Sequence, residues 1–280
     1  MGTLYIVGTP IGNLEDMTIR AARILGQVGL VAAEDTRVTR RLLNHLGIKV
    51  RLTSYHRHNW ERRIPALLEA LESGDVALVT DAGMPGVSDP GNELVALAAA
   101  RGYNVDVAPG PSAVTTAVAL SGLVQAQIDD GSFFFMGFLP RKARDRRASL
   151  ERAKSLASTL VIFEAPHRVK ASLKDILATL GDRDIAVCRE MTKLYQEIFR
   201  GAVSGALEHF TEPRGEFVLV VAGANAEEAV SNEHATEEAK QRLVELRAAG
   251  TNSRTAIALV GEETGLPRNV LYRLWLESGS

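Results

Sequence analysis

With 280 residues, 32 basic against 34 acidic side chains and a net charge of -2, the chain is long enough for two modest domains. It has no global field to hold a polyanion, so nucleic acid must be met by local patches. Hydrophobic content of 46% and a mean hydropathy of +0.00 describe an ordinary globular chain, with no apolar run near the roughly 20 residues that cross a bilayer. The strand-like residues 4–7 are preceded by no basic and apolar leader pattern, and the lone cysteine, Cys188, excludes an internal disulfide, so a reducing cytoplasm is expected.

Strand and helix patterns alternate from the start. Residues 4–7 predict a buried strand, residues 8–13 a loop, and Thr18 the cap of a helix through Ile19, Ala22 and Leu25. Leu30–Ala33 is a second strand ending in Glu34-Asp35-Thr36-Arg37, and a helix through Leu42, Leu43 and Leu46 stops at Gly47. A third strand near 50–53 leads to a helix through Ile64, Leu67, Leu68 and Leu71. Val76–Val79 is the fourth strand and 105–107 the fifth. Pro109-Gly110-Pro111-Ser112 then opens a helix through Ala113, Ala117 and Leu120. Such alternation predicts a mostly parallel sheet covered on both faces.

A boundary is expected near Phe138, giving a first α/β domain over 1–137 and a second over 138–224. The second begins with the densest basic run of the chain, 141–147. It continues with strands at 159–163, 185–188, 198–201 and Phe217–Val221, predicting a mixed sheet. Residues 224–235 are small, polar and acidic, as in a linker. Residues 236–280 read as a helical module: a helix over 239–246, a second capped by Ser253 and a third over 268–276.

The stretch T-D-A-G-M-P-G-V-S-D-P-G at 80–91 sits where a strand ends and a helix begins, the place where α/β sheets meet ligands. Its glycines allow close backbone approach and its prolines hold the loop in shape. The loops at 8–13 and 109–112 occupy equivalent places, and Ser112 is free to bond a ligand from a helix start. Neither a G-x-G-x-x-G fingerprint nor a G-x-x-x-x-G-K-[ST] phosphate loop occurs, which argues against a nicotinamide cofactor or ATP. Three loops on one sheet converge on a small-molecule crevice.

V-G-T-P-I-G-N-L at 7–14, A-E-D-T-R at 33–37, the 80–91 loop, P-G-P-S-A at 109–113, G-F-L-P-R-K at 137–142, F-E-A-P-H-R at 163–168 and R-E-M-T-K at 189–193 carry a resemblance. Together they resemble the ribosomal RNA small subunit methyltransferase I family, within the tetrapyrrole methylase superfamily. The resemblance implies two α/β domains, the first mostly parallel and the second mixed, followed by a small helix-turn-helix-like module. It also implies S-adenosylmethionine held between the domains, and methylation of the ribose 2′-hydroxyl of a decoding-centre cytidine in 16S rRNA. Expected cofactor contacts are Pro10, Asp81, Ala82, Gly83, Met84, Ser112 and Ala113, with Phe163 closing over the adenine. A homodimer acting on 16S rRNA within the 30S subunit is the implied assembly. Methylation of a corrin or sirohaem precursor is the rival activity, and a cofactor-sensing nucleic-acid-binding regulator the rival from another class.

A ribose hydroxyl is a poor nucleophile, so a base or an alkoxide-stabilising cation is expected: Asp35 as base, Arg37 and Lys193 as stabilisers. Residues alone make the 34–37 cluster an acidic helix cap about as readily as a site. His56 and His58, near Trp60, Arg62 and Arg63, read from the residues alone about equally as an exposed loop or an RNA contact; the resemblance tilts them to RNA, and they lack the further ligands of a metal site. The run Arg141, Lys142, Arg144, Arg146 and Arg147 could be a solvated helix face, but with few acids to offset it the expected role is RNA binding through phosphates. Arg268 and Arg273 fit a capping bundle as well, but the resemblance implies a tail that helps dock on the ribosomal subunit, so both are expected RNA contacts.

Overall fold

A computed structural model describes residues 2–124, 131–224, 226–264, 266 and 268–277. Two five-stranded sheets carry the fold. The first comprises β1 (Thr3–Val7), β2 (Leu30–Ala33), β3 (Arg51–Ser54), β4 (Val76–Val79) and β5 (Asn104–Ala108). Their order is β3-β2-β4-β1-β5 and every pairing is parallel. Helices α1 (Ile19–Gln27) and α2 (Thr36–His45) cover one face, where Leu25 and Leu43 pack on Val31, Ala77 and Val79. Helices α3 (Trp60–Ser73) and α4 (Asn92–Ala100) cover the other, where Leu67 and Leu94 pack on Ala32, Val76 and Leu78. Alternate residues of one strand thus enter opposite cores, which is why β4 is an unbroken apolar run. Thr18 caps α1 as expected, accepting from the Ala21 amide at 3.1 Å.

Helix α5 (Ala113–Ser121) leaves the first sheet and joins the second. Its Val114 and Ala117 pack on Val161, Ala186, Cys188 and Val220. That sheet comprises β6 (Phe133–Phe138), β7 (Thr159–Glu164), β8 (Asp184–Arg189), β9 (Glu197–Ala202) and β10 (Phe217–Val221). The order is β6-β7-β10-β8-β9, with β6 and β7 parallel and the other pairs antiparallel. Helices α6 (Ala143–Ala153), α7 (Val169–Leu180) and α8 (Val203–His209) cover its outer face through Leu150, Leu173, Ile176 and Val203.

Sheet membership changes before Phe133, not at the expected boundary near Phe138. Strand β6 lacks a period-two pattern because it is a half-exposed edge whose register shifts between Phe135 and Gly137, where Gly137 takes φ +64. The expected linker at 224–235 is also corrected: helix α9 spans Ala226–Ala248, in keeping with its many Ala and Glu residues. It is followed by α10 (Ser253–Thr264) and α11 (Arg268–Glu277), joined around Leu243, Ile257, Val260, Leu271 and Trp275. Asn252 rather than Ser253 caps α10, its Oδ1 accepting from the Thr255 amide at 3.0 Å. Among the described residues no helix is long and apolar enough to cross a membrane.

Candidate functional site

Strands β4, β1 and β5 are neighbours, so the loops leaving their carboxyl ends meet. Thr9 and Gly83 exchange backbone hydrogen bonds of 3.0 and 3.1 Å, and the Thr9 hydroxyl donates to the Thr80 carbonyl at 3.1 Å. Gly83 holds φ +79, a conformation that glycine adopts without strain. Gly8 and Gly110 pass so closely that a Cβ on Gly8 would lie 2.7 Å from the Gly110 backbone and from Met84 Sδ. The three loops therefore form one interlocked rim.

A cleft of ~420 Å³ lies between this rim and the second sheet. Of the expected cofactor contacts, Asp81, Ala82, Gly83 and Met84 line it from the β4 loop, and Ser112 and Ala113 from the start of α5. Phe163 lines it from β7, edge-on to Phe135 and Phe138 at 4.9 and 5.6 Å. Pro10 does not line it; it is buried behind the rim and Ile11 takes the wall. Ser112 makes no capping bond to α5, so its hydroxyl can serve a ligand. Burial pushes the Cys188 thiol up to about 11, which makes this wall residue a packing group rather than a nucleophile.

The acidic part of the cleft differs from expectation. Asp35 caps α2: it accepts from the Arg37 amide at 2.8 Å and pairs with the Arg37 guanidinium at 2.7 Å. These bonds hold its carboxyl down at about 2, and neither Asp35 nor Arg37 lines the cleft. The neighbouring Glu34 does, together with Asp81 and Asp89. Burial raises all three carboxyls above their ordinary range, and Asp89 raises Glu34 further. Among the described residues Glu34 Oε2 accepts only a long 3.4 Å bond, from the Asp81 amide, while Asp81 Oδ1 accepts from the Asp35 amide at 3.0 Å. Lys193 does not line the cleft but is held at its edge, its Nζ lying 3.0 Å from Glu190 and 2.8 Å from the cleft residue Glu216. Among the described residues no group of three or more His, Cys, Asp and Glu side chains is placed to hold a metal.

The basic run divides. Arg141, Lys142, Arg144 and Arg147 are exposed, but Arg146 is buried, its Nε 2.7 Å from Asp175 on α7. Arg147 pairs with the other oxygen of Asp175 at 2.6 Å. Arg146 is therefore not an RNA contact: it holds α6 to α7. His56 is half-buried and accepts from the His58 amide at 3.2 Å; His58, Arg268 and Arg273 are exposed. Glu164, also on the cleft wall, is buried against Ser172 and Arg168.

A family model described as Tetrapyrrole (Corrin/Porphyrin) Methylases matches residues 3–207. Among solved structures, diphthine synthase superposes with a TM-score of 0.61 at 14% identity, covering 82% of this chain and 93% of that one. Uroporphyrin-III C-methyltransferase from Thermus thermophilus, complexed with S-adenosyl homocysteine, gives 0.56 at 20% identity, covering 79% and 97%. At such identities the fold is what is shared. Fold and matched model together define a methylase of the tetrapyrrole class.

Curated relatives narrow this. "Ribosomal RNA small subunit methyltransferase I" of Halalkalibacterium halodurans is 44% identical over 98% of this chain and 94% of its own. The protein of that name from Bacillus subtilis is 43% identical over 97% and 93%, and that from Thermotoga maritima 50% over 80% and 99%. This chain belongs to the ribosomal RNA small subunit methyltransferase I family.

The cofactor is S-adenosylmethionine, and the cleft fits it. Its volume is that of a nucleoside-sized ligand site, its walls are apolar at Ile11, Met84 and Phe163, and its carboxylates suit a sulfonium cation. A cation binds the ionised carboxylates best. Because burial raises their pKa, they take up protons as pH falls toward the ordinary carboxylate range from above. Affinity for S-adenosylmethionine is thus expected to rise with pH through that window, by up to about tenfold per pH unit for each proton displaced. S-adenosylhomocysteine, neutral at sulfur, is expected to show a flatter profile. Calorimetry of both ligands from acid to neutral pH checks this, and superimposable profiles would remove the carboxylates from the cofactor site.

Proposed function

We propose that this methyltransferase modifies the ribose 2′-oxygen of a decoding-centre cytidine in 16S rRNA, acting on the 30S subunit as a homodimer. The observation that carries the reading is the near-full-length match to relatives bearing the name ribosomal RNA small subunit methyltransferase I. Exposed Arg141, Lys142, Arg144 and Arg147 on one side, and Arg268 and Arg273 on α11, suit phosphate contacts, with His56 and His58 as a further RNA-facing pair.

The methyl donor supplies an electrophilic carbon; the protein must position the ribose and take its proton. Glu34 is the base in this reading. It lies on the cleft wall, its carboxylate receives only one long hydrogen bond among the described residues, and burial brings its pKa toward the working range of a general base. Asp35, held at about 2 by Arg37, is too weak a base and does not line the cleft. Ser112 orients the ligand, and the apolar walls keep water from the reacting atoms.

The test is incubation with methyl-labelled cofactor and 30S subunits from cells lacking the endogenous enzyme, followed by digestion and mass spectrometry. Label on the ribose of the decoding-centre cytidine is expected; label on a base, or on a tetrapyrrole precursor alone, would replace the reading. Glu34→Gln is expected to lower the single-turnover rate by about 10²–10⁴-fold and to flatten its rise with pH. Asp35→Asn is expected to stay within a few-fold of wild type. The reverse order would return the base role to Asp35.

A further inference from the structure

Between β8 and β9 the chain turns through residues 190–196, and this turn is held far more tightly than a surface hairpin needs. Glu190 and Thr192 adopt φ +47 and +66, a region costly for any side chain and most of all for a β-branched one. The conformation is pinned from several sides. Glu190 Oε1 accepts from Lys193 Nζ at 3.0 Å and from the Glu216 amide at 2.8 Å, Lys193 Nζ reaches Glu216 at 2.8 Å, and the Thr192 amide donates to Gln196 at 2.7 Å.

The turn also crosses to the other sheet. A Cβ on Gly12, in the loop after β1, would lie 2.6 Å from Lys193 Cγ and 2.7 Å from Thr192 Oγ1. Met191 and Glu216 line the cleft, so the turn stands at its mouth. At its tip Leu194 and Tyr195 are 88% and 70% exposed. A strained, braced turn that displays an aromatic ring beside a cleft has little order left to lose when a flat ligand arrives.

We propose that this turn is a stacking platform, on which Tyr195, flanked by Leu194, receives an unstacked base of the RNA substrate. The inference rests on the proposed RNA substrate. Single-stranded RNA is gripped by rings for its bases and cations for its phosphates. Arg214, exposed at the foot of the turn where its carbonyl accepts from Arg189 at 2.6 Å, supplies such a cation. Two side chains at a turn tip are too small an area for a stable protein interface, which favours a base over a second copy of the chain.

The test compares full-length wild type, Tyr195→Ala, Tyr195→Phe and Leu194→Ala in methylation of 30S subunits, with S-adenosylhomocysteine affinity and sedimenting mass measured on each. Tyr195→Ala is expected to raise KM for the subunit roughly tenfold or more, with kcat, cofactor affinity and mass unchanged. Tyr195→Phe keeps the ring and is expected to match wild type. An unchanged KM for Tyr195→Ala overturns the platform, and so does a change in sedimenting mass, which would make the tip a contact between protomers. Should wild type methylate no RNA, the proposed function falls and the platform with it. Normal ribose methylation by Tyr195→Ala removes the platform alone.

Discussion

Asp175→Ala is expected to destabilise the protein by about 3–5 kcal/mol, the cost of leaving a buried charge without its partner. The Arg146 and Asp175 side chains are 7% and 5% exposed, and the guanidinium is held on both sides of the pair. Its Nε lies 2.7 Å from Asp175 and its Nη1 3.1 Å from the Arg141 carbonyl. Removing the carboxylate strands that cation between α6 and α7. Urea unfolding followed by circular dichroism measures the loss, and a change under about 1 kcal/mol would mean that water reaches the pair. Arg146→Met combined with Asp175→Leu is expected to recover most of the stability, since a well-packed apolar pair often replaces a buried ionic one.

The same carboxylate predicts an acid limit. Burial works to raise the Asp175 pKa, but the bonds from Arg147 and Arg146 outweigh it and hold the group below its ordinary range. A depressed folded pKa contributes stability above the unfolded value, about 4, and loses it as pH falls through the folded one. The clamp is therefore at full strength at neutral pH and weakens progressively as pH falls below about 4. Asp175→Ala is expected to flatten that part of the stability profile.

Gly8→Ala is expected to cost about two orders of magnitude in cofactor affinity while leaving the fold intact. The added methyl would sit 2.7 Å from the Gly110 Cα and nitrogen and from Met84 Sδ. Carbon atoms in contact need about 3.5 Å, so the β1 and β5 loops must part by something on the order of 1 Å. Displacements of that size at an organised site cost on the order of 10²-fold. Overpacking of this kind lowers stability by only about 1–3 kcal/mol, because the loops lie at the strand ends rather than in either core. Calorimetric titration with S-adenosylhomocysteine alongside thermal melting separates the two effects. Gly26→Ala is the control: its Cβ would meet only Ile48, at 3.9 Å, within α1. It is expected to be neutral or to stabilise by up to about 1 kcal/mol. Normal affinity in Gly8→Ala would place the ligand away from the interlocked rim.

Much of this molecule is written in short-range pattern. Leu30–Ala33 and Val76–Val79 are central strands because their side chains alternate into two covered cores, and Thr18 caps α1 through an amide three residues on. The glycine- and proline-rich turns follow in the same way from the residues they contain. The parallel sheet and the β4 and α5 contributions to the cleft were legible for that reason. Other features depend on partners that no local pattern names. Arg146 is one cation among several until Asp175, 29 positions away, takes it into the core. Glu34 and Asp35 are adjacent acids, and only the pairing of Asp35 with the first turn of α2 leaves Glu34 to the cleft. Strand β6 shows no alternation because it is an edge, and it belongs to the second sheet only by pairing with β7. Tyr195 acquires its place because Gly12, from the opposite sheet, leaves room for the turn behind it. Periodicity and propensity determine how a residue sits on its own element. Which charge is buried, and which faces a ligand, is decided by packing between elements far apart in the chain.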